Sequence, residues 1–189
     1  MTRPITIAGI SGSLRQGSFN TAALQAAAEL APDKVTVNLL TLHDIEPFSE
    51  DTEAEGWPDG VAALREKVAP ADGVLFATPE YNYSIPGVLK NAIDWLSRPT
   101  GKGPITGKPA AIIGASPSPF GTARAQAHLR QIVFYNAMPL LPYDEVLVMK
   151  AGNKIEDGRL VDEESRDFVK ELMADFADWV RLHTERQAA

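Results

Sequence analysis

Five short apolar runs, at residues 5–10, 35–40, 73–77, 110–115 and 146–149, recur along the chain, separated by loops and stretches with helical spacing. This rhythm constrains the fold more than any other feature of the sequence. Runs so short and so continuously apolar suit strands buried on both faces, with helices as the crossovers between them. The helical stretches fall at 21–30, 61–68, 88–96, 123–136 and 163–183. In 88–96, Val88, Leu89, Ala92, Ile93 and Leu96 share one face. In the last stretch Val169, Leu172, Met173, Phe176, Trp179 and Val180 form a stripe, and Asp162 or Ser165 is available as its cap. Run 35–40 alternates Val35, Val37 and Leu39 with Thr36 and Asn38, as an edge strand with one wetter face would. Residues 44–59, polar and broken by Pro47 and Pro58, read as a long surface loop, and 97–108 as irregular chain.

Five β-then-α units in succession predict an α/β domain, a parallel sheet with helices on both faces. With 189 residues, no repeat and no linker, the whole of 1–189 is expected to be one domain. Right-handed crossovers and a switch in strand order put a ligand crevice at the carboxyl ends of the strands. The loops after the first, third and fourth strands should meet there.

Composition narrows the chemistry. Lys and Arg number 18 against 25 Asp and Glu, a formal charge of −7. Without a basic block this is the wrong balance for gripping a phosphate backbone, so no nucleic-acid partner is expected. No apolar run approaches the length of a membrane span, and residues 5–10 are too short for the core of a signal peptide, so the cytoplasm is the expected compartment. Cysteine is absent, which removes disulfides, thiolate nucleophiles, iron–sulfur ligation and Cys-based zinc sites together. His43, His128 and His183 lie too far apart to make a metal motif. Trp57 and Trp95 fit either the core or a subunit contact.

Three loops carry the unusual residues. The first, Gly9 to Asn20, joins a strand to a helix start, where free amides and the helix dipole favour an anion. Its serines, the Asn20 amide and the Arg15 guanidinium add donors suited to phosphate oxygens. Glycines at 9, 12 and 17 miss the dinucleotide pattern G-x-G-x-x-G. Gly12 and Gly17 have P-loop spacing, but Ser18-Phe19 stands where Lys-Ser/Thr is required. A monophosphate therefore fits better than a triphosphate with magnesium; the competing reading is a turn that only caps the helix. The second loop, Thr78 to Gly87, has Tyr81, Asn82 and Tyr83 as a planar wall with an amide, Ser84 as a candidate cap and Pro86 in the first helical turn. Glu80 reads equally well as a solvated carboxylate. The third, Ser116 to Thr122, points Ser116 into the crevice and is stiffened by Pro117 and Pro119.

Two long stretches, Gly12-Ser13-Leu14-Arg15-Gln16-Gly17-Ser18-Phe19-Asn20 and the run from Thr78-Pro79-Glu80-Tyr81-Asn82-Tyr83-Ser84-Ile85-Pro86-Gly87 to Trp95, closely resemble the NADPH-dependent FMN reductase family, within it the bacterial soluble quinone and chromate reductases. Residues 123–131 add a weaker third match, and the likeness extends over nearly the whole chain. The resemblance implies a flavodoxin-like three-layer sandwich with strand order 2-1-3-4-5, non-covalent FMN, NADPH or NADH as co-substrate, and a homodimer or homotetramer with flavins near the subunit boundary. Carried over, Ser13, Arg15, Ser18, Phe19 and Asn20 hold the phosphate and ribityl end. Pro79, Glu80, Tyr81 and Asn82 border the isoalloxazine, mainly through backbone and the Asn82 amide, and Ser116 contacts the ring. The third loop departs from the family, with Ser118 at an expected Gly and Gly121-Thr122 replacing a Gly pair, which puts the shape of the nicotinamide and acceptor pocket in question.

The function so implied is a ping-pong oxidoreductase. NAD(P)H passes hydride to the flavin N5 and leaves; a quinone, flavin, azo compound or chromate then takes its place. The flavin carries the chemistry, so no catalytic side chain is expected. The rival readings are an FMN-binding electron carrier serving a protein redox partner, and a flavin-free phosphate-binding module.

Overall fold

Every residue of the strands β3 (Gly73–Ala77) and β4 (Ala110–Ala115) is buried, which requires cover on both faces of the sheet they share. The computed structural model, which describes residues 3–142 and 145–188, shows how that cover is arranged. β1 (Ile5–Ser11), β2 (Val35–Leu40), β3, β4 and β5 (Val146–Val148) form one parallel sheet in the order β2-β1-β3-β4-β5. One face carries α1 (Phe19–Glu29) and α6 (Glu163–Ala188) over Ile5, Ile7, Leu75 and Ile113. The other carries α3 (Asp59–Val68), α4 (Gly87–Leu96) and α5 (Ala123–Tyr135) over Ala8, Ile10, Phe76 and Ile112. Each strand alternates sides, so consecutive apolar residues feed two cores at once.

The sequence reading placed all five strands within one residue of their ends, because continuous apolarity is a local property. It missed α2 (Glu50–Glu55) inside the supposed surface loop, a single polar turn-and-a-half started by Ser49, whose hydroxyl accepts from the Asp51 amide. It also missed the hairpin of β6 (Ile155–Glu156) and β7 (Arg159–Leu160), which turns through Asp157 and Gly158, both at positive φ. Asp-Gly is the residue pair such a turn favours, and it was readable. In β2 the expected alternation fails at its end: Leu39 is exposed and Leu40 buried, because the edge strand feeds Val37 to one core and Leu40 to the other.

α6 is capped by Asp162, whose carboxylate accepts from the Ser165 amide at 3.0 Å and hydroxyl at 2.6 Å. Trp95 lies fully buried and donates its indole N–H to the Glu46 carbonyl at 2.8 Å, whereas Trp57 stays partly exposed under Arg65. Gly114 shows why β4 and α5 meet closely: a Cβ there would fall 1.7 Å from the Thr122 hydroxyl, just before α5 begins. No helix among the described residues is long and apolar enough to cross a membrane.

Candidate functional site

The strand order switches sides between the parallel neighbours β1 and β3, β2 lying on one side of β1 and β3, β4 and β5 on the other. The loops leaving β1, β3 and β4 therefore splay around one crevice at the carboxyl edge of the sheet. A cavity of about 170 Å³ opens there. It is bordered by Ser13, Arg15, Ser18, Phe19, Asn20, Pro79, Glu80, Tyr81 and Ser116, together with Ala115 and Pro117. Of the ten residues singled out in the sequence, only Asn82 stands outside this lining, in the adjoining turn.

Ser13, Ser18 and Ser116 are only 4%, 4% and 9% exposed. Each hydroxyl accepts from a backbone amide: Ser13 from Arg15 at 3.3 Å, Ser18 from Thr21 at 3.2 Å and Ser116 from Ser118 at 3.1 Å. Each keeps its own O–H proton to donate. Ser18 is the cap of α1, and the first turn of that helix contains no acidic residue, so its positive end is not compensated from within. Arg15 donates to the Gly17 carbonyl at 2.6 Å and lies 5.1 Å from the Phe19 ring, with further guanidinium donors at the rim. Gly12 lets this loop press against β3; a Cβ there would come within 3.1 Å of the Ala77 carbonyl oxygen. Hydroxyl protons, a guanidinium and an open helix N-terminus form a donor set that matches a phosphate monoester.

Asn20, which lines the cavity, also has a structural task. Its amide N–H donates to the Ala115 carbonyl at 2.9 Å, and its amide oxygen accepts the Ala115 N–H at 2.9 Å. Oxygen and nitrogen are each engaged once, so the side chain clasps the start of α1 to the end of β4 and holds two walls of the cavity in register, with one amide N–H left over. Ser84 departs from expectation. Pro86, not Ser84, occupies the cap position of α4, and the Ser84 hydroxyl is hydrogen-bonded to His128 Nδ1 at 2.9 Å.

Glu80 is no solvated carboxylate. Its side chain is buried and accepts the amides of Arg124 and Ala125 at 3.0 and 3.1 Å, capping α5 from a distant loop, and it pairs with the Arg124 guanidinium. Arg124 falls within the third matching stretch, 123–131, and the sequence reading assigns it no role. A signal was available: a cation in the first turn of a helix opposes the dipole and calls for a carboxylate nearby. The loop 116–122 is rigid for reasons beyond its prolines, since the Ser118 carbonyl accepts the Gly121 and Lys150 amides and the Ser116 carbonyl accepts that of Ala151.

A larger cavity, about 340 Å³, lies at the β5 edge against α6, bordered by Met149, Phe168, Glu145 and Glu171. Its carboxylates repel phosphate, and none of the loops at the switch point reaches it.

The family model described as NADPH-dependent FMN reductase matches residues 5–153. An NAD(P)H-dependent FMN reductase of Pseudomonas aeruginosa is 49% identical over 183 residues, covering 96% of this chain and 98% of that protein. A 2-hydroxy-1,4-benzoquinone reductase of a Burkholderia species is 40% identical over 178 residues, covering 94% of this chain and 97% of that one. Among solved structures, the flavoenzyme NAD(P)H:(acceptor) oxidoreductase of Paracoccus denitrificans superposes with a TM-score of 0.84 at 35% identity, covering 95% of this chain and 98% of the other.

Proposed function

The chain belongs to the NADPH-dependent FMN reductase family, and from that premise we propose that it holds FMN in the switch-point cavity and uses it to reduce quinones with NAD(P)H. The observation that carries this reading is the pair of buried hydroxyls, Ser13 and Ser18, each with a proton to donate, that stand with Arg15 at the uncompensated N-terminus of α1. Ser13, Ser18, Arg15 and the first-turn amides of α1 hold the phosphate. Phe19 lies along the ribityl side. Pro79 to Asn82 and Ser116 border the ring, with the Asn82 and Tyr83 amides, unused inside their own turn, left to face its edge. FMN held by these residues would supply two-electron redox chemistry between NAD(P)H and an acceptor such as a quinone, free flavin, azo compound or chromate.

The protein's task is to hold, orient and leave one face open. Asn20 fixes the phosphate loop against the β4 loop, and Glu80 fixes the β3 loop against α5. Tyr81 is half-exposed at the rim, and a single cavity used by nucleotide and acceptor in turn would give double-displacement kinetics. A homodimer or homotetramer goes with this reading. Its support is the end of α5, where Phe134 and Tyr135 are 85% and 78% exposed, more than a lone protomer accommodates without cost.

The test is anaerobic rapid mixing of FMN-loaded protein with NADPH and NADH separately, followed by benzoquinone. Loss of the oxidised flavin absorbance and its return with quinone supports the reading; a protein that stays colourless after incubation with FMN refutes it.

A further inference from the structure

We propose that His43 is a positioning residue for the FMN phosphate. Through the Leu14 carbonyl it fixes the peptide that aims the Ser13 hydroxyl into the cavity. The inference rests on the FMN reading and adds to it how the first loop tells a phosphorylated flavin from an unphosphorylated one.

Residues 14–17 are all exposed, so packing holds them weakly. Gly12 ties the start of the loop to β3, its amide donating to the Ala77 carbonyl at 2.8 Å. Beyond that point Arg15 bonds within the loop, its amide to the Ser13 hydroxyl at 3.3 Å and its guanidinium to the Gly17 carbonyl at 2.6 Å. Among the described residues, one hydrogen bond joins 13–17 to a segment outside the loop: His43 Nε2 lies 3.0 Å from the Leu14 carbonyl oxygen. A carbonyl only accepts, so Nε2 carries the proton of this bond.

The segment that presents the imidazole is itself fixed. β1 and β2 are parallel neighbours paired as far as Ile10 and Leu40, so residues 41–44 leave the sheet beside residues 11–14. Leu42 is buried, and the backbone of Asp44 lies against α3, where a Cβ on Gly60 would fall 1.8 Å from the Asp44 carbonyl oxygen. Two residues on, the Glu46 carbonyl accepts the Asn91 amide and the Trp95 indole N–H, each at 2.8 Å. A rigid strand exit thus supports an exposed loop at one carbonyl.

Peptide geometry carries that support inward. In a trans peptide the C=O and the N–H point in opposite directions. With the Leu14 carbonyl turned out to His43, the Arg15 N–H is turned in, onto the Ser13 hydroxyl oxygen. Ser13 lines the cavity, and its hydroxyl, accepting from Arg15, keeps its own proton to donate to a phosphate oxygen. Without His43 the Leu14–Arg15 peptide is free to turn over. A turned peptide would aim a carbonyl lone pair at the anion and release the Ser13 hydroxyl from its donor. Both changes act on the phosphate and leave the contacts of the flavin ring alone. Every link lies within one chain, so none depends on how subunits assemble.

Riboflavin is FMN without its phosphate, so the ratio of the two affinities isolates this effect. Apo-protein is titrated with each flavin by fluorescence quenching, for the parent, His43→Leu, which lacks a donor, and His43→Gln, which supplies one. His43→Leu is expected to weaken FMN binding about fivefold, the size of one hydrogen bond, and to leave riboflavin binding unchanged. His43→Gln should keep most of the preference for FMN. At an exposed position, neither substitution should move the melting temperature of the apo-protein by more than about 2 °C. An unchanged ratio in His43→Leu overturns the proposal, as does a His43→Gln protein that loses as much as His43→Leu. Equal loss of both flavins with a lower melting temperature also overturns it, and makes His43 a structural tie only. His43→Ala carries the same reading if His43→Leu does not fold. A parent protein that binds FMN and riboflavin alike removes the phosphate reading itself; a parent that prefers FMN, and keeps the preference without His43, removes His43 alone.

Discussion

Replacing Asn20 with Ala separates two roles that one buried amide can play. In the structure Asn20 is 3% exposed and makes two hydrogen bonds of 2.9 Å to the backbone of Ala115, itself buried. Truncation leaves an N–H and a C=O without partners at the end of β4. Each such group costs about 1–3 kcal/mol, and relaxation or an entering water recovers part of it, so the net loss is about 2–4 kcal/mol. For a domain of this size that is roughly 5–15 °C in melting temperature. The assay is urea unfolding of the apo-protein, paired with fluorescence titration of FMN. Asn20→Asp sharpens it. An aspartate accepts the Ala115 N–H but cannot donate to the Ala115 carbonyl while ionised. Its buried carboxyl is therefore pushed up in the folded state, and Asn20→Asp should gain stability relative to wild type as pH falls. If Asn20→Ala loses less than about 0.5 kcal/mol, the ordinary range of a surface change, yet no longer binds FMN, the amide is a ligand and the clasp argument is wrong.

Arg15→Ala removes an exposed guanidinium that donates to the Gly17 carbonyl of its own loop, so stability should hold while FMN affinity falls by about 1–3 kcal/mol, read by equilibrium titration of the apo-protein. Unchanged affinity would count against Arg15 as the phosphate cation. Glu80→Gln leaves Arg124 unpaired and weakens the cap of α5; a loss of about 1.5–3 kcal/mol in urea unfolding is expected, since the carboxylate is buried and hydrogen-bonded to charge. Asp162 supplies a pH signature. The Ser165 hydroxyl first, and the Lys154 ammonium second, hold its carboxyl down from the usual 3.8 to about 2. A carboxylate depressed by folding adds stability above its unfolded value and loses it as pH falls toward the folded one. The gap between wild type and Asp162→Asn should therefore close between pH 4 and 2, from no more than about 1 kcal/mol given its partial exposure. A gap independent of pH would remove the carboxylate from the explanation.

Strand positions, the order of β and α elements and the phosphate-suited loop were legible because each depends on neighbours within a few residues: apolar continuity, helical spacing, hydroxyls and glycines ahead of a helix start. The same local logic was available and unused at Asp157-Gly158, where the hairpin turns. What the sequence by itself determined was thus which segments become strands and helices and which loops carry donors. Only the tertiary structure decided how those donors and acceptors are spent. Asn20 meets Ala115 across 95 residues, while Glu80 meets Arg124 and Ser84 meets His128 across 44 each. Buried polar groups take whichever partner the packing brings within reach, and at such separations no pattern along the chain specifies which partner that is.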